Sequence, residues 1–288
     1  MTEPAIRTAL VLAGGGSLGA VQVGMLQELM RAGLKPDFIV GSSVGALNAG
    51  FFAGDPTQEG VAKLGEIWRS LRRRDIFPVT LGSAFRWLGT SDGLFDPGNL
   101  RQLIERNLPY RNLEDAPMPL HVVATNLGGE SVRLSSGPAA EAILASAAIP
   151  VVFPTVEIQA EHLMDGAISG NTPILAAAEL GATRIVVLPT GFACALSAPP
   201  NGAVARGMHA LTLLVAHQMV RDLAQLAGTI EVFTAPSLCP LAVSPFDFSQ
   251  TDTLIARAAS RTRDWLSSGG LSRQQIPDAL RAHSHRGG

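Results

Sequence analysis

Apolar positions along the chain follow two rhythms. Short unbroken runs, Arg7-Thr-Ala-Leu-Val-Leu-Ala13 and Phe38-Ile-Val40, end at glycine and read as strands buried in a parallel sheet. Between them, Ala20-Val-Gln-Val-Gly-Met-Leu-Gln-Glu-Leu-Met30 keeps a helical period and stops before Gly33, the residue type favoured just past a helix end. The chain therefore opens strand-loop-helix-strand-loop-helix. The right-handed crossover rule makes the two strands parallel, with their C-terminal ends on one edge. If they are neighbours, the loops that follow them lie side by side. Further on, helices are predicted over 57–74, 96–108, 138–148, 174–180, 204–227 and 249–266, and strands over 120–125, 130–134, 155–158, 162–164, 184–188 and 229–234.

The loop after the second strand carries the strongest chemical signal. Gly41-Ser42-Ser43-Val44-Gly45 matches G-x-S-x-G, and Ala46-Leu-Asn-Ala49 begins a helix behind it. On such a turn the flanking positions must be glycine, because a Cβ would strike the neighbouring strand or helix. Ser43 is then pushed out beside the positive end of a helix. The loop after the first strand, Gly14-Gly15-Gly16-Ser17-Leu18-Gly19, has three readings. A dinucleotide fingerprint would need an acidic residue at the far end of the second strand, whereas Asp37 sits at its start. A structural tight turn is the second. The favoured reading is an oxyanion site built on Gly14, Gly15 and Gly16, with the N–H groups of Gly15, Gly16 and Val44 aimed where a carbonyl oxygen gains charge.

Two predicted hairpin arms deliver Asp165-Gly166-Ala167 at a strand end. Asp-Gly alone commonly makes only a turn; a carboxylate there could also serve as a base. Arg72-Arg73-Arg74 either complements a helix C-terminus or meets anionic lipid head groups or a substrate phosphate. Phe77, Phe85, Trp87 and Phe95 crowd a Gly- and Pro-punctuated stretch in a chain with 5% aromatics. They read as an acyl-chain wall or a mobile cover over the site, or as ordinary loop packing.

Composition narrows the field. The 288 residues suffice for one large α/β domain, and with no repeat or linker that domain is expected over 7–266, followed by a C-terminal helix and disordered tail over 267–288. Hydrophobic residues make up 47% and charged residues 16%, with a mean hydropathy of +0.25. A net charge of −2 removes the electrostatic footprint of a nucleic-acid binder. Cys194 and Cys239 lack metal or redox spacing and read as reduced structural thiols. No carboxylate or histidine cluster suggests a metal. No basic-then-apolar leader opens the chain, and glycines or prolines interrupt both long uncharged stretches, 8–27 and 185–205. The expectation is a cytoplasmic protein for which peripheral contact with a lipid surface stays open.

Three blocks, in order, make the chain resemble the patatin-like phospholipases of compact bacterial type. They are Gly14-Gly-Gly-Ser-Leu-Gly-Ala20, Gly41-Ser-Ser-Val-Gly-Ala-Leu-Asn-Ala49, and Ala145-Ser-Ala-Ala-Ile-Pro150 followed by Phe153-Pro154 and Asp165-Gly-Ala167. General similarity runs over about residues 7–259. The resemblance implies an α/β/α sandwich around a mostly parallel sheet, a lipid or ester substrate and no cofactor. It maps the nucleophile to Ser43, the base to Asp165 and the oxyanion donors to the glycine loop, with no histidine base. Leu18 stands where many members carry Arg or Lys, so oxyanion stabilisation would rest on backbone donors and the helix dipole. Three rivals remain: a Ser-His-Asp triad using His209 or His217, an acyltransferase sharing the acyl-enzyme, and an inactive lipid-binding module of the same fold. An α/β-hydrolase normally carries its elbow deeper in the sheet than the second strand.

Overall fold

The structure, a computed structural model, describes residues 6–77, 93–191, 194–195, 202–226 and 228–274. Its centre is an eight-stranded sheet. Strands β1 (Thr8–Leu12), β2 (Phe38–Ser42), β3 (Leu120–Asn126), β7 (Arg184–Leu188) and β8 (Glu231–Thr234) run parallel in the order β3-β2-β1-β7-β8. The hairpin of β5 (Val156–Ile158) and β6 (Glu161–Met164) extends the sheet antiparallel from the end of β3, and β4 (Ser131–Leu134) also pairs with β3.

Alternation along the strands builds the layers. Leu10, Leu12 and Ile39 pack into one core with helices α1 (Ala20–Arg31), α2 (Val44–Gly54), α3 (Gln58–Ser70) and, later in the chain, α10 (Thr251–Ser267). Ala9, Val11, Phe38 and Val40 face the other core, with α8 (Ile174–Glu179) and α9 (Ala203–Leu226). The expected three-layer α/β/α sandwich is the observed fold. Because β1 and β2 pair with Leu12 opposite Gly41, the two loops that follow them do lie side by side.

The helix expected over 57–74 is interrupted. Thr57 caps α3 by accepting from the Gly60 N–H (3.1 Å), but Leu71 turns extended, with ψ 138°. The Asp75 carboxylate then accepts the Arg72 N–H (2.7 Å) and starts α4 (Arg73–Ile76). Arg72 keeps its expected capping task, donating to the carbonyls of Arg69 (2.7 Å) and Leu71 (2.9 Å). The helix expected from Asp96 is α5 (Gly98–Asn107), with Pro97 at the N-cap and Asp96 accepting the Gly98 N–H (2.7 Å). α6 (Ala139–Ser146) and α7 (Ala167–Gly170) complete the set used below. After α10, a 3-10 turn at Gly270–Ser272 is tied to β7 by Arg184, which donates to Leu271 O (2.8 Å). The tail expected to be disordered lies outside the described residues from 275 onward. The Cys194 and Cys239 sulfurs, distant in sequence, approach to 3.9 Å. Among the described residues, no helix is long and apolar enough to cross a membrane.

Candidate active site

The C-terminal ends of β1 and β2 bring the two glycine-bearing loops together. Ser43, between β2 and α2, adopts φ 54° and ψ −126°, a conformation rare for a residue with a side chain. A Cβ on Gly41 would lie 2.5 Å from Gly45 O, and one on Gly45 would lie 2.2 Å from Leu12 O. The first glycine thus lets the helix fold back over the strand, and the second lets it pass β1. The local chain can close only with glycine at both positions.

Ser43 Oγ donates to Asp165 Oδ2 at 2.7 Å. Both side chains are buried, Ser43 at 6% and Asp165 at 3% exposure, so the contact is largely withheld from water. Asp165 Oδ1 accepts the Ala167 N–H (2.8 Å), and its own backbone is held by Ala148 O (2.9 Å) and the Thr125 hydroxyl (2.9 Å). Gly166 follows because a Cβ there would meet Val123 O at 2.0 Å. Burial pushes the Asp165 carboxyl up to about 6, against the pull of its hydrogen bonds from Ala167 and Ser43, which favour the ionised form.

The glycine loop faces this pair. A Cβ on Gly14 would lie 3.0 Å from Ser43 Cβ. Gly14 donates its N–H to Asn171 O (2.9 Å) and accepts from the Thr190 hydroxyl (2.5 Å), so it shapes the loop and has no N–H to offer a ligand. That narrows the expected donor set. The N–H groups of Gly15 and Gly16 have no partner among the described residues, and that of Val44 opens α2, where the helix leaves it unused. Leu18, at the position of the missing cation, is fully buried in the core.

Beside Ser43 lies an apolar cavity of ≈ 60 Å³, walled by Val44, Leu47, Trp68, Leu71, Phe77 and Phe153 among others. Of the four aromatics expected there, Phe77 lines it, and Phe95 stands behind Phe77 at 5.7 Å between ring centroids. Phe85 and Trp87 lie outside the described residues. Phe153, Phe246 and Phe248 complete a ring cluster around Phe77. His121 bonds Ser135 Oγ (2.7 Å), with burial holding its imidazole pKa down to about 4, and His162 Nδ1 lies 3.5 Å from Thr155 Oγ1. Among the described residues, no group of three or more His, Cys, Asp or Glu side chains could hold a metal ion.

A chain of buried amides links the parts. Trp68 Nε1 donates to Asn48 Oδ1 (2.7 Å), and Asn48 Nδ2 donates to Gly19 O (3.0 Å) and Gln22 Oε1 (2.8 Å). Gln22 Nε2 in turn donates to Ala13 O (2.8 Å) and Leu188 O (3.0 Å). Gln22 lies outside the motif blocks, and Asn48, inside the second, carries no assigned role there. The available signal is an amide standing in an otherwise apolar helical run.

A mostly parallel α/β/α sheet with a buried serine on a strand–helix elbow, bonded to a carboxylate, defines a class of serine-bearing α/β proteins. Within it the chain belongs to the patatin-like phospholipase family, whose sequence profile matches residues 10–178, more than half its length. An uncharacterised NTE family protein of Mycobacterium bovis is 30% identical over 183 residues, covering 63% of this chain and 48% of that protein. The patatin-like phospholipase domain-containing protein 7 of Rattus norvegicus is 26% identical over 189 residues, 64% of this chain and 13% of that protein. The chain thus spans less than half the length of these curated relatives. Human GIVD cytosolic phospholipase A2 shares the fold, with TM-score 0.54 and 12% identity, covering 96% of this chain and 60% of that one.

Proposed function

We propose that the protein is a serine acyl hydrolase that cleaves carboxylic ester bonds of lipids through Ser43 and Asp165. The observation that carries this reading is the buried 2.7 Å bond from Ser43 Oγ to Asp165 Oδ2. Asp165 takes the hydroxyl proton as Ser43 Oγ attacks the ester carbonyl. The oxyanion that forms is held by the N–H groups of Gly15, Gly16 and Val44 and by the positive end of α2. Collapse expels the alcohol, which leaves with the proton from Asp165, and an acyl-enzyme remains. Water then gives its proton to Asp165 as it attacks, and the acid departs when Ser43 Oγ recovers that proton. Among the described residues the cavity beside Ser43 is walled almost wholly by carbon, which suits the acyl chain of a lipid ester.

A fluorophosphonate probe tests the reading. It should label Ser43 in the wild type, and Ala replacements of His121, His162, His209 and His217 should each keep both labelling and p-nitrophenyl ester turnover. Loss of turnover in one histidine variant that keeps its fold would replace the carboxylate base by an imidazole.

A further inference from the structure

The opening stretch of the third sequence block, Ala145-Ser-Ala-Ala-Ile-Pro150, contains no residue the proposed chemistry uses, yet its backbone and one side chain touch both halves of the pair. Ser146 Oγ accepts the Ser43 N–H at 2.9 Å. The same hydroxyl donates to Val123 O at 2.5 Å, so its only proton is committed and the lone pair facing Ser43 is set. One bond further along, Ser146 O accepts the Gly166 N–H (3.1 Å) and Ala148 O accepts the Asp165 N–H (2.9 Å). Ser146 is wholly buried. A single turn at the end of α6 therefore grips the elbow from one side and the carboxylate loop from the other.

From this geometry we infer that Ser146 is a positioning residue that fixes the distance between Ser43 Oγ and Asp165 Oδ2. Ser43 needs such a grip. Its left-handed φ of 54° is a strained conformation for serine, which persists only where surroundings over-determine it. Removing the Ser146 hydroxyl leaves the Ser43 N–H and Val123 O unpaired, and the elbow relaxes toward commoner angles. Oγ then swings away from Asp165. The remaining contacts of Asp165, to Ala167 N–H, Ala148 O and Thr125, do not compensate, because none reaches Ser43.

The inference rests on the Ser43–Asp165 reading, and the experiment keeps the two separable. Ser146→Ala, Ser146→Cys and Asp165→Asn are compared with the wild type on a p-nitrophenyl ester, with active sites counted by fluorophosphonate titration. For Ser146→Ala the expected result is a fall in kcat per titrated site of about 10²-fold, the scale of a 1 Å misplacement, with KM within threefold. Its acid limb should also move to higher pH. The Ser43 bond favours ionised Asp165, no charged neighbour among the described residues contributes to that carboxyl's titration, and losing the bond raises the pKa of the base. Ser146→Cys keeps a polar γ atom, larger than oxygen and a weaker acceptor, and should fall between alanine and wild type, which preserves the test if the alanine variant does not fold. Wild-type kcat per titrated site and an unmoved acid limb in the Ser146 variants would overturn the inference. If Asp165→Asn itself turns over normally, the dyad reading falls instead.

Discussion

Asp165 carries a tension between stability and chemistry. Its folded pKa, pushed up to about 6 by burial, exceeds the ordinary carboxyl value of 3.8. A raised pKa means the folded state binds the proton more tightly than the unfolded chain. The stabilising effect is therefore fully present below about pH 4 and lost as pH rises through 6. At pH 8 the buried carboxylate destabilises the fold by about 3 kcal/mol on this basis, at 1.36 kcal/mol per unit. Asp165→Asn should remove that penalty, since the amide can still accept from Ala167 and face Ser43. Urea unfolding is expected to show the variant more stable than wild type at pH 8 and equal to it at pH 4; equal stability at both would deny the burial effect. Ser43 was legible in the sequence because its elbow tolerates only glycine at 41 and 45, whereas Asp165 was singled out by the family resemblance, since Asp-Gly alone commonly makes only a turn. Ser146 was not, because a buried serine in an alanine-rich helix reads as filler until its partners are seen.

Elements matter here through how they are tied. The amide chain from Trp68 through Asn48 to Gln22 joins α3, α2 and α1, then reaches the ends of β1 and β7. It thereby spans the two halves of the proposed oxyanion site, with Gly19 closing the loop that carries Gly15 and Gly16, and Asn48 one turn after Val44. Asn48→Leu leaves the Trp68 Nε1 and Gln22 Oε1 unpaired in a buried core and removes the side-chain bond to Gly19 O. The expected loss is about 3–5 kcal/mol of stability. Activity of the folded fraction should drop at least tenfold in kcat with little change in KM, because the oxyanion is held only in the transition state. Urea titration and steady-state kinetics check the two parts, and an unchanged kcat would make the network purely structural. Most elements were readable from their rhythm, since strands and helices bury apolar residues at periods set by geometry. The break between α3 and α4 was not. Apolar Val61, Leu64, Ile67, Trp68 and Leu71 keep a helical stripe to the end, and only the Asp75 contact to Arg72 shows where the chain turns.

Across the whole molecule, the candidate site is assembled from residues at 14–16, 43–44, 146–148 and 165: parallel pairing of β1 and β2 brings the first two loops together, the antiparallel pairing of β6 with β3 delivers Asp165, and the end of α6 supplies 146–148. Sequence motifs predicted that convergence for the first two loops, because two parallel neighbours must end together. The cavity was only half visible. Phe77 was singled out and Phe153 appeared only within the third block with no role, whereas Trp68 and Leu71 belong to a helical apolar stripe, in which nothing distinguishes a wall from a filling. The central claim is that a carboxylate alone activates Ser43. Rapid-mixing of a p-nitrophenyl ester with wild type and Asp165→Asn at pH 8 tests it most directly. The wild type should release a burst of one p-nitrophenolate per titrated site, and the folded Asp165→Asn variant should show no burst on the same timescale. A burst of wild-type rate and amplitude in that variant would contradict it.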